Sequence, residues 1–315
     1  MKTLYPYLLA AMVLMSACRK TRYYSRSQIV PNMLTPVDAN KNIAYAASFT
    51  LAWNEMRQQV GAPINNKAKA VKWMNDSPVS GDILGPKEFK RDVRIKGEEI
   101  TILVNFQREL GFDVPMQALK EPFTFNGKPV KAFGMVDYDP EIIGIAHLIF
   151  YRDEDHFVIS LDSKDKSSDM ILAKGFNKGA QLHVILQQIQ GAIRKGTKIK
   201  DFASLKIPIL KFQEEEHFKE LEGIDFKAKG KPYKVKTARQ KTFFTLDQEG
   251  AKIADAAEIV VDTMAALAEG EEVMRPPNLV FDKPFVVMLQ KKKSPFPYFI
   301  LKVENEEIMD TNKDN

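Results

Sequence analysis

Two hydrophobic periods alternate along the chain and predict a mixture of helices and strands. Apolar residues recur at helical spacing over 42–60, and a second helix is predicted over 179–194. Residues 61–98 are polar and interrupted by proline, which predicts short helices at best. Runs rich in β-branched and aromatic residues predict strands at 100–106, 129–136, 143–151, 156–161, 205–212, 233–247, 285–290 and 299–304.

The order of these elements predicts an α+β fold with antiparallel or mixed β-sheets and helices mostly on the N-terminal side. Neighbouring strands are joined by short turns, which argues against repeated βαβ units. The segment Asp153-Glu154-Asp155-His156 contains residue types that bind metals. Its position in a tight hairpin between two predicted strands favours a solvated turn instead.

The N-terminus has the pattern of an export signal. An apolar run over 8–15 follows a single charge at Lys2, and it is shorter than the ~20 residues that cross a bilayer. Met15-Ser16-Ala17-Cys18 resembles a bacterial lipobox, in which the cysteine is lipidated; the alternative is an ordinary signal peptide with an incidental cysteine. We therefore expect a signal peptide over 1–17, a linker over 18–40, and a lipid anchor at Cys18 that holds the protein in the bacterial cell envelope.

Composition removes several classes of function. The chain has 315 residues, a formal net charge of +5, one Cys and four His, so a disulfide framework and a Cys-based zinc cluster are excluded. The charges of both signs are interspersed, which does not suggest nucleic-acid binding. The motifs GxSxG, GxxxxGK[ST], HExxH and CxxC are absent from the sequence, so nothing favours an enzyme, a metal or a cofactor.

One segment is strongly basic. It has seven cations in 227–241 and no acidic residue between them. Such a strip can bind a polyanion, for example a sulfated glycan or a lipid headgroup, or it can be the solvated edge of a strand. The cations are Lys227, Lys229, Lys231, Lys234, Lys236, Arg239 and Lys241.

The most informative stretch is 233–304. A strand ends in the acidic segment Asp247-Gln248-Glu249-Gly250, an alanine-rich tract follows, and Phe281-Asp282-Lys283-Pro284-Phe285 precedes two further strands. At these residues the sequence resembles the serpin family. Serpins have a strand, an acidic hinge with glycine, an alanine-rich reactive-centre loop, a Phe-x-x-Pro-Phe motif and a closing hairpin in this order.

The resemblance extends upstream and implies a serpin-like domain over 41–307 with a C-terminal tail at 308–315. Residues 102–105 resemble the third strand of the large serpin sheet A, 130–162 the hairpins of sheet B, and 43–56 the central buried helix. The chain departs from the family between the first helix and residue 100, where little sequence is left for helices and sheet A strands. We therefore expect a narrower sheet A, or the loss of the helix that covers it.

The resemblance implies a monomeric inhibitor of serine endopeptidases, or alternatively of cysteine endopeptidases, that acts by loop cleavage and insertion into sheet A. Alternate residues from Ala251 onward are apolar except Asp255, which fits a strand that buries one face. A helical period over 253–267 competes and favours a docked helix in a non-inhibitory binding or scaffold lipoprotein. The hinge residues implied are Glu249, Gly250, Ala251, Ile253, Asp255 and Ala257.

The scissile bond is left open between two positions. Counting forward from Gly250 gives Met264-Ala265, and counting back from Phe281 gives Val273-Met274. Arg275 is followed by proline, which disfavours cleavage by a trypsin-like enzyme. The exposed reactive-centre-like loop is therefore expected to suit a chymotrypsin-like or elastase-like protease.

Overall fold

The computed structural model describes residues 25–311 except 62, 80–82, 86–87, 107–109 and 253–275. The helices are α1 Ala47–Val60, α2 Lys69–Asn75, α3 Pro140–Ile145 and α4 Leu182–Lys195, with a 3-10 helix at Glu306–Ile308. The strands are β1 Ser27–Val30, β2 Asn42–Ala46, β3 Phe89–Lys96, β4 Glu99–Phe106, β5 Leu110–Gly111, β6 Gln117–Ala118, β7 Phe123–Phe125, β8 Lys128–Val130, β9 Ala132–Met135, β10 Ala146–Asp153, β11 His156–Asp162, β12 Ser168–Lys174, β13 Ser204–Pro208, β14 Leu210–His217, β15 Asp225–Ala228, β16 Lys231–Asp247, β17 Gly250–Lys252, β18 Asn278–Val280, β19 Phe285–Lys291 and β20 Phe299–Val303.

Three sheets contain most of these strands. Sheet 1 has the order β1-β2-β20-β19-β12-β11-β10. Sheet 2 has the order β3-β4-β16-β17-β5, and β14 and β15 pair with the remaining edge of β16. Sheet 3 has the order β18-β13-β9-β6, and β7 and β8 form a separate hairpin. Parallel pairs occur in all three sheets, so the predicted α+β fold with mixed sheets is confirmed.

Helix α1 fills the space beneath sheet 2. Its side chains Phe49, Trp53 and Met56 recur at helical spacing and are fully buried. The helix packs against β3 and β4, and the Phe49 ring lies edge-on to Phe218 with 4.5 Å between centroids. No helix in the described part of the chain is long and apolar enough to cross a bilayer.

The structure corrects two predictions near the N-terminus. Residues 42–46 form β2 rather than the start of the predicted helix, because they are buried on both faces between β1 and β20. A short apolar run of this kind has no period that separates strand from helix. In 61–98 the predicted short helix is present as α2, but Phe89–Lys96 is a strand that the charged sequence did not suggest.

Other boundaries move for local reasons. The strand predicted at 143–151 begins at Ala146, because the Asp139 side chain caps α3 by accepting hydrogen bonds from the backbone of Glu141 and Ile142. The single strand predicted at 205–212 divides at Ile209 into β13 in sheet 3 and β14 in sheet 2. The predicted linker 18–40 contains the buried strand β1, and the predicted tail begins with the buried residues Ile308 and Met309.

Glu306 ties three distant segments together. Its carboxylate accepts hydrogen bonds from Arg26 Nη2 at 3.0 Å and Lys128 Nζ at 2.6 Å. Burial alone would raise the pKa of Glu306, but the hydrogen bonds from Arg26 and Lys128 outweigh it and lower the pKa to about 2. The carboxylate thus stabilises the fold in its ionised form.

A Glu306→Gln variant is expected to lose stability at neutral pH but not near pH 2. Because the folded pKa lies below the ordinary value of 4.5, this stability is complete above that value and is lost as the pH falls toward 2. The shift corresponds to about 3 kcal/mol, which screening at the exposed Arg26 and Lys128 side chains reduces to about 1–2 kcal/mol. Urea unfolding at pH 7 and at pH 2.5 measures the difference, with Glu121→Gln as the exposed control; an equal loss at both pH values would contradict it.

Candidate functional site

The candidate site is the seam between β4 and β16 in sheet 2. These strands run parallel and pair directly over eight positions, from Glu99 opposite Lys234 to Phe106 opposite Thr242. Parallel neighbours that are not connected by a local crossover are bound only by their ladder and side-chain packing. The seam is therefore the place where sheet 2 can accept another strand without breaking a hairpin.

Beyond the end of the seam at Phe106 and Thr242, a third strand lies within the sheet. Strand β17 pairs antiparallel with β16, with Ala251 opposite Leu246, and antiparallel with β5, with Ala251 opposite Leu110. Because β14 pairs with the other edge of β16 through Leu246, β17 must lie on the β4 side. The side chain of Ala251 is fully buried there.

Gly250 is required by this entry point. Its φ is +121°, and a Cβ at this position would lie 2.4 Å from the carbonyl oxygen of Leu110 and 2.8 Å from Gly111 Cα and Phe112 N. All three obstacles are backbone atoms of the neighbouring segment, so rotation of a side chain cannot relieve them. Only glycine permits the two backbones to approach this closely.

The turn before β17 is fixed by hydrogen bonds on both sides. The carbonyl of Glu249 accepts from the backbone N–H of Phe112 at 2.8 Å, and the carbonyl of Gln248 accepts from that of Met116 at 2.9 Å. The backbone N–H of Glu249 donates to Asp247 Oδ1 at 2.8 Å. The segment that leaves β16 is thus directed back along the sheet.

The structure brings together only part of the predicted hinge. Glu249, Gly250 and Ala251 meet at the top of the seam. The remaining hinge residues Ile253, Asp255 and Ala257, both candidate scissile bonds, Met264-Ala265 and Val273-Met274, and the lipidation residue Cys18 lie outside the described residues. The chain is described again from Pro276, and β18 then pairs parallel with β13.

The buried face of the seam is aromatic at one level. The Phe299 ring from sheet 1 stacks on Phe106 of β4 and on Phe244 of β16, with centroid distances of 5.7 and 4.7 Å. This packing joins β4 and β16 near the point where β17 enters the sheet between β5 and β16. Opening the seam would require the shared contact with Phe299 to be rearranged.

Deeper in the seam the buried face is polar, which sequence reasoning did not single out. Gln240 and Thr242 are fully buried, and Gln240 Nε2 donates to Thr242 Oγ1 at 2.9 Å. Gln240 Oε1 has no hydrogen-bond partner among the described residues. On the adjacent strand, Glu216 is opposite Gln240, and burial together with the nearby Glu220 raises its pKa. In the sequence, Gln240 and Thr242 could have been noticed only because they lie on the buried side of an otherwise apolar strand.

From Lys234 to Lys241 the predicted basic strip does not lie on a strand edge, because β16 is paired on both sides there. Four of its cations are ion-paired: Lys234 with Asp225, Lys236 with Glu99, and both Arg239 and Lys241 with Glu215. The other three, Lys227, Lys229 and Lys231, lie in β15, in the turn after it and at the start of β16. The strip therefore divides between the face of sheet 2 and the end of a hairpin.

The hairpin containing Asp153–His156 is a turn, as predicted, but it also closes a second polar cluster. The Lys174 side chain is 4 % exposed, and its Nζ donates to Asp282 Oδ1 at 2.6 Å and to the carbonyl of Glu154 at 3.0 Å. Asp155 lies 3.1 Å from the same Nζ, and hydrogen bonds from Lys283 and Lys174 lower the pKa of Asp155. This polar cluster joins sheet 1 to the segment that follows β18.

Replacing Lys174 with methionine is expected to destabilise the fold by about 2–3 kcal/mol, because two carboxylates lose their buried cation. The loss stays below that of a fully buried pair, since the Asp282 and Asp155 side chains are partly exposed and can be hydrated. Lys283→Met is the matched control: Lys283 pairs with the same Asp155 but is exposed, so the loss should be under about 1 kcal/mol. Equal losses in urea unfolding would show that burial of Lys174 is unimportant.

Comparison with known protein families gives a match over part of the chain. The family model described as "Serpin (serine protease inhibitor)" matches residues 193–306, from the end of α4 to the 3-10 helix. This confirms the relationship to the serpin family that the sequence indicated, over the part of the chain that contains β16, β17 and the closing strands. Serpins generally inhibit proteases rather than act as enzymes, although some members do not inhibit. No curated protein sequence matches the chain.

Solved structures of serpins resemble the chain at low identity. They include Serpin48 from the insect Tenebrio molitor (14% identity, TM-score 0.40, covering 75% of this chain and 62% of that one) and a serpin from the trematode Schistosoma haematobium (11%, 0.45, 65% and 56%). Thyroxine-binding globulin in complex with thyroxine is also similar (12%, 0.41, 66% and 56%). The match thus spans between 56% and 62% of the length of these structures.

Proposed function

We propose that this protein is a serpin-type inhibitor of serine endopeptidases, with cysteine endopeptidases as the alternative class of target. In this proposal a protease attacks the segment between β17 and β18, releases the amine of the C-terminal fragment, and remains bound to the N-terminal fragment as an acyl-enzyme. That fragment then inserts between β4 and β16 and carries the enzyme across the sheet before the acyl bond is hydrolysed.

The observation that carries this proposal is the position of β17. It lies beside β16 in the antiparallel direction that an inserted loop requires, and it stands directly above the seam. Further insertion only has to continue the same ladder downward. Each additional residue would replace one parallel contact between β4 and β16 with antiparallel pairing on both sides, which is slightly more stable per residue.

Side-chain pattern supports the same step. Continuing the strand alternation from buried Ala251 would direct Ile253, Ala257 and Ile259 to the buried face. Burial of these apolar residues would add to the driving force for insertion. Asp255 has the same parity, and burial of its carboxylate would oppose insertion.

For the target, we propose a chymotrypsin-like or elastase-like protease, because Met264, Leu267 and Met274 are the apolar candidates for its specificity pocket.

For the place of action, we propose the bacterial cell envelope. Lipidation at Cys18 would hold the inhibitor there, where it would meet proteases from outside the cell. Labelling of the chain with a radioactive fatty acid, with Cys18→Ser as the control, tests the anchor.

Incubation of the chain with chymotrypsin, elastase and trypsin tests inhibition. We expect a covalent complex that survives boiling in SDS with at least one of the first two enzymes, and a large rise in the melting temperature of the cleaved chain. A protease whose catalytic nucleophile has been chemically blocked should give no complex. Cleavage by all three enzymes with neither complex nor gain in melting temperature would contradict the proposal.

A second candidate is a non-inhibitory serpin-fold binding or scaffold lipoprotein. It is favoured by the polar pair Gln240 and Thr242 in the seam and by the parity of Asp255, both of which disfavour insertion. In that case residues 252–268 would form a docked helix. Hydrogen exchange distinguishes the two: the docked helix should exchange slowly in the uncleaved chain, whereas a bait segment should exchange freely.

A further inference from the structure

The segment that leads into β1 is held beside the C-terminal 3-10 helix. The Glu307 carboxylate accepts a hydrogen bond from the backbone N–H of Ser25 at 2.8 Å and another from that of Arg26 at 2.9 Å. The Arg26 guanidinium also pairs with Glu306 at 3.0 Å. Backbone and side-chain contacts therefore fix the position at which the chain enters the domain.

The 3-10 helix lies at the end of sheet 2 where β17 enters. Met309, directly after the helix, pairs with Leu210 at the start of β14. Leu210 is opposite Leu246 of β16, and Leu246 is opposite Ala251 of β17. Neighbouring strands are about 4.8 Å apart, so three steps across the ladder place Met309 about 15 Å from Ala251.

A second route through sheet 1 leads to the same end of the domain. Val303, two residues before the 3-10 helix, is opposite Phe285 of β19. Four residues before Phe285, the backbone N–H of Phe281 donates to the carbonyl of Lys206 in β13 at 2.9 Å. Strand β18 also pairs with β13. We call this end of the domain, which holds Ser25 and both β17 and β18, the loop end.

The opposite end of sheet 2 is well separated from the loop end. Strand β16 extends 12 residues back from Leu246 to Lys234, which is opposite Glu99 at the start of β4. At about 3.3 Å per residue this distance is about 40 Å. Glu98, in the turn between β3 and β4, is exposed there.

A lipid at Cys18 would have a short tether, and this step rests on the anchor proposed above. Seven residue steps separate Cys18 from Ser25. An extended chain spans at most about 3.6 Å per residue, so the membrane surface would lie within about 25 Å of Ser25. A folded protease of about 200 residues has a diameter of about 40 Å, which exceeds the tether.

We propose that the loop end faces the membrane that holds the lipid anchor, and that the preferred target is a protease acting at the surface of that same membrane. Such an enzyme would meet the segment between β17 and β18 at a high effective concentration, because both partners are confined to one surface. A protease carried by a large soluble assembly would be hindered by the membrane. Orientation thus adds a selectivity that is independent of the sequence at the scissile bond.

Moving the anchor to the opposite end tests this orientation. Removal of residues 1–17 by the proposed processing keeps every residue that the structure describes. In that processed chain a maleimide lipid reacts at Cys18 alone, because it is the only cysteine. In a Cys18→Ser/Glu98→Cys variant the lipid is attached at the opposite end instead. An unchanged melting temperature establishes that the variant folds.

Both forms are bound to phospholipid vesicles that carry subtilisin, a protease of broad specificity, on a short lipid linker. We expect cleavage between residues 252 and 276, mapped by mass spectrometry, to be about tenfold faster with the Cys18 anchor than with the Glu98→Cys anchor. In detergent, which removes the confinement, the two forms should be cleaved at the same rate.

Subtilisin attached to a large soluble polymer reverses the expectation. The vesicle-bound Cys18 form should then be cleaved about fivefold more slowly than the Glu98→Cys form, since the membrane hinders access to the loop end. Equal rates for the two anchors on vesicles, in either arrangement of the protease, would overturn the inferred orientation.

Two further results separate this inference from the proposals on which it rests. Faster cleavage of the Cys18 form, together with no SDS-stable complex with chymotrypsin or elastase, would contradict inhibition and leave the orientation intact. Absence of a fatty-acid label at Cys18 would remove the tether and overturn the inference for the protein in the cell.

Discussion

A Gly250→Ala variant is expected to be cleaved by its target protease without trapping it. The added Cβ would collide with the backbone at Leu110, Gly111 and Phe112, and alanine at a φ of +121° is strained by about 1–3 kcal/mol. Strand β17 would therefore leave its place between β5 and β16, and the loop would lose the start of the ladder from which insertion proceeds. The fraction of SDS-stable complex and the melting temperature after cleavage measure this loss.

Gly230→Ala provides the matched control. Gly230 also has a positive φ of +79°, but no atom lies within 4 Å of the position of its Cβ. The control thus carries conformational strain without collision, and we expect it to trap the protease as the unaltered chain does. A Gly250→Ala variant that traps equally well would show that β17 pairing is not needed to begin insertion.

Much of sheet 2 was predictable because its signals are local. The alternation of β16 and the acidic turn ending in Gly250 are readable without knowing their neighbours, and both lie where they were expected. The hinge at Gly250 was implied by the resemblance to serpins, and what the structure shows at that position is the close approach of another backbone.

The features that could not be predicted depend on partners distant in sequence. Strand β3 is rich in charge, and its role as a strand comes from pairing with β4 along its whole length. The bulge at Val235–Thr237 lies where one side of β16 passes from pairing with β15 to pairing with β14, while the other side pairs with β4. Without that bulge, the cations of β16 cannot be assigned to one face.

Asp255→Ala is expected to speed insertion by about tenfold and to raise the melting temperature of the cleaved chain. Two registers independently locate residue 255 in an inserted strand. Counting from Leu246–Ala251 places it opposite Thr242, and counting from Leu110–Ala251 places it opposite Phe106. These two residues already face each other across the closed seam, so the registers agree.

The carboxylate of Asp255 would then enter the buried face beside Thr242. An ionised group there loses its hydration, and we expect a cost of several kcal/mol before any hydrogen bond offsets it. Thr242 Oγ1 already accepts from Gln240, and the burial that raises the pKa of Glu216 on the neighbouring strand marks this region as unfavourable for negative charge. Removing the carboxylate removes that cost, whereas Asp255→Asn should give an intermediate rate.

Glu258→Ala separates the role of burial from that of net charge. The same registers place residue 258 opposite Leu103 and Arg239, whose positions lie on the solvent side of the sheet. Removing this carboxylate changes the loop charge by the same amount but should leave insertion unchanged or make it slightly slower, since an outward pairing with Arg239 is lost. If both alanine variants accelerate insertion equally, the effect is electrostatic repulsion within the loop and the inferred register is wrong. If only Asp255→Ala accelerates insertion, then burial of the Asp255 carboxylate is what slows insertion of the loop between β4 and β16.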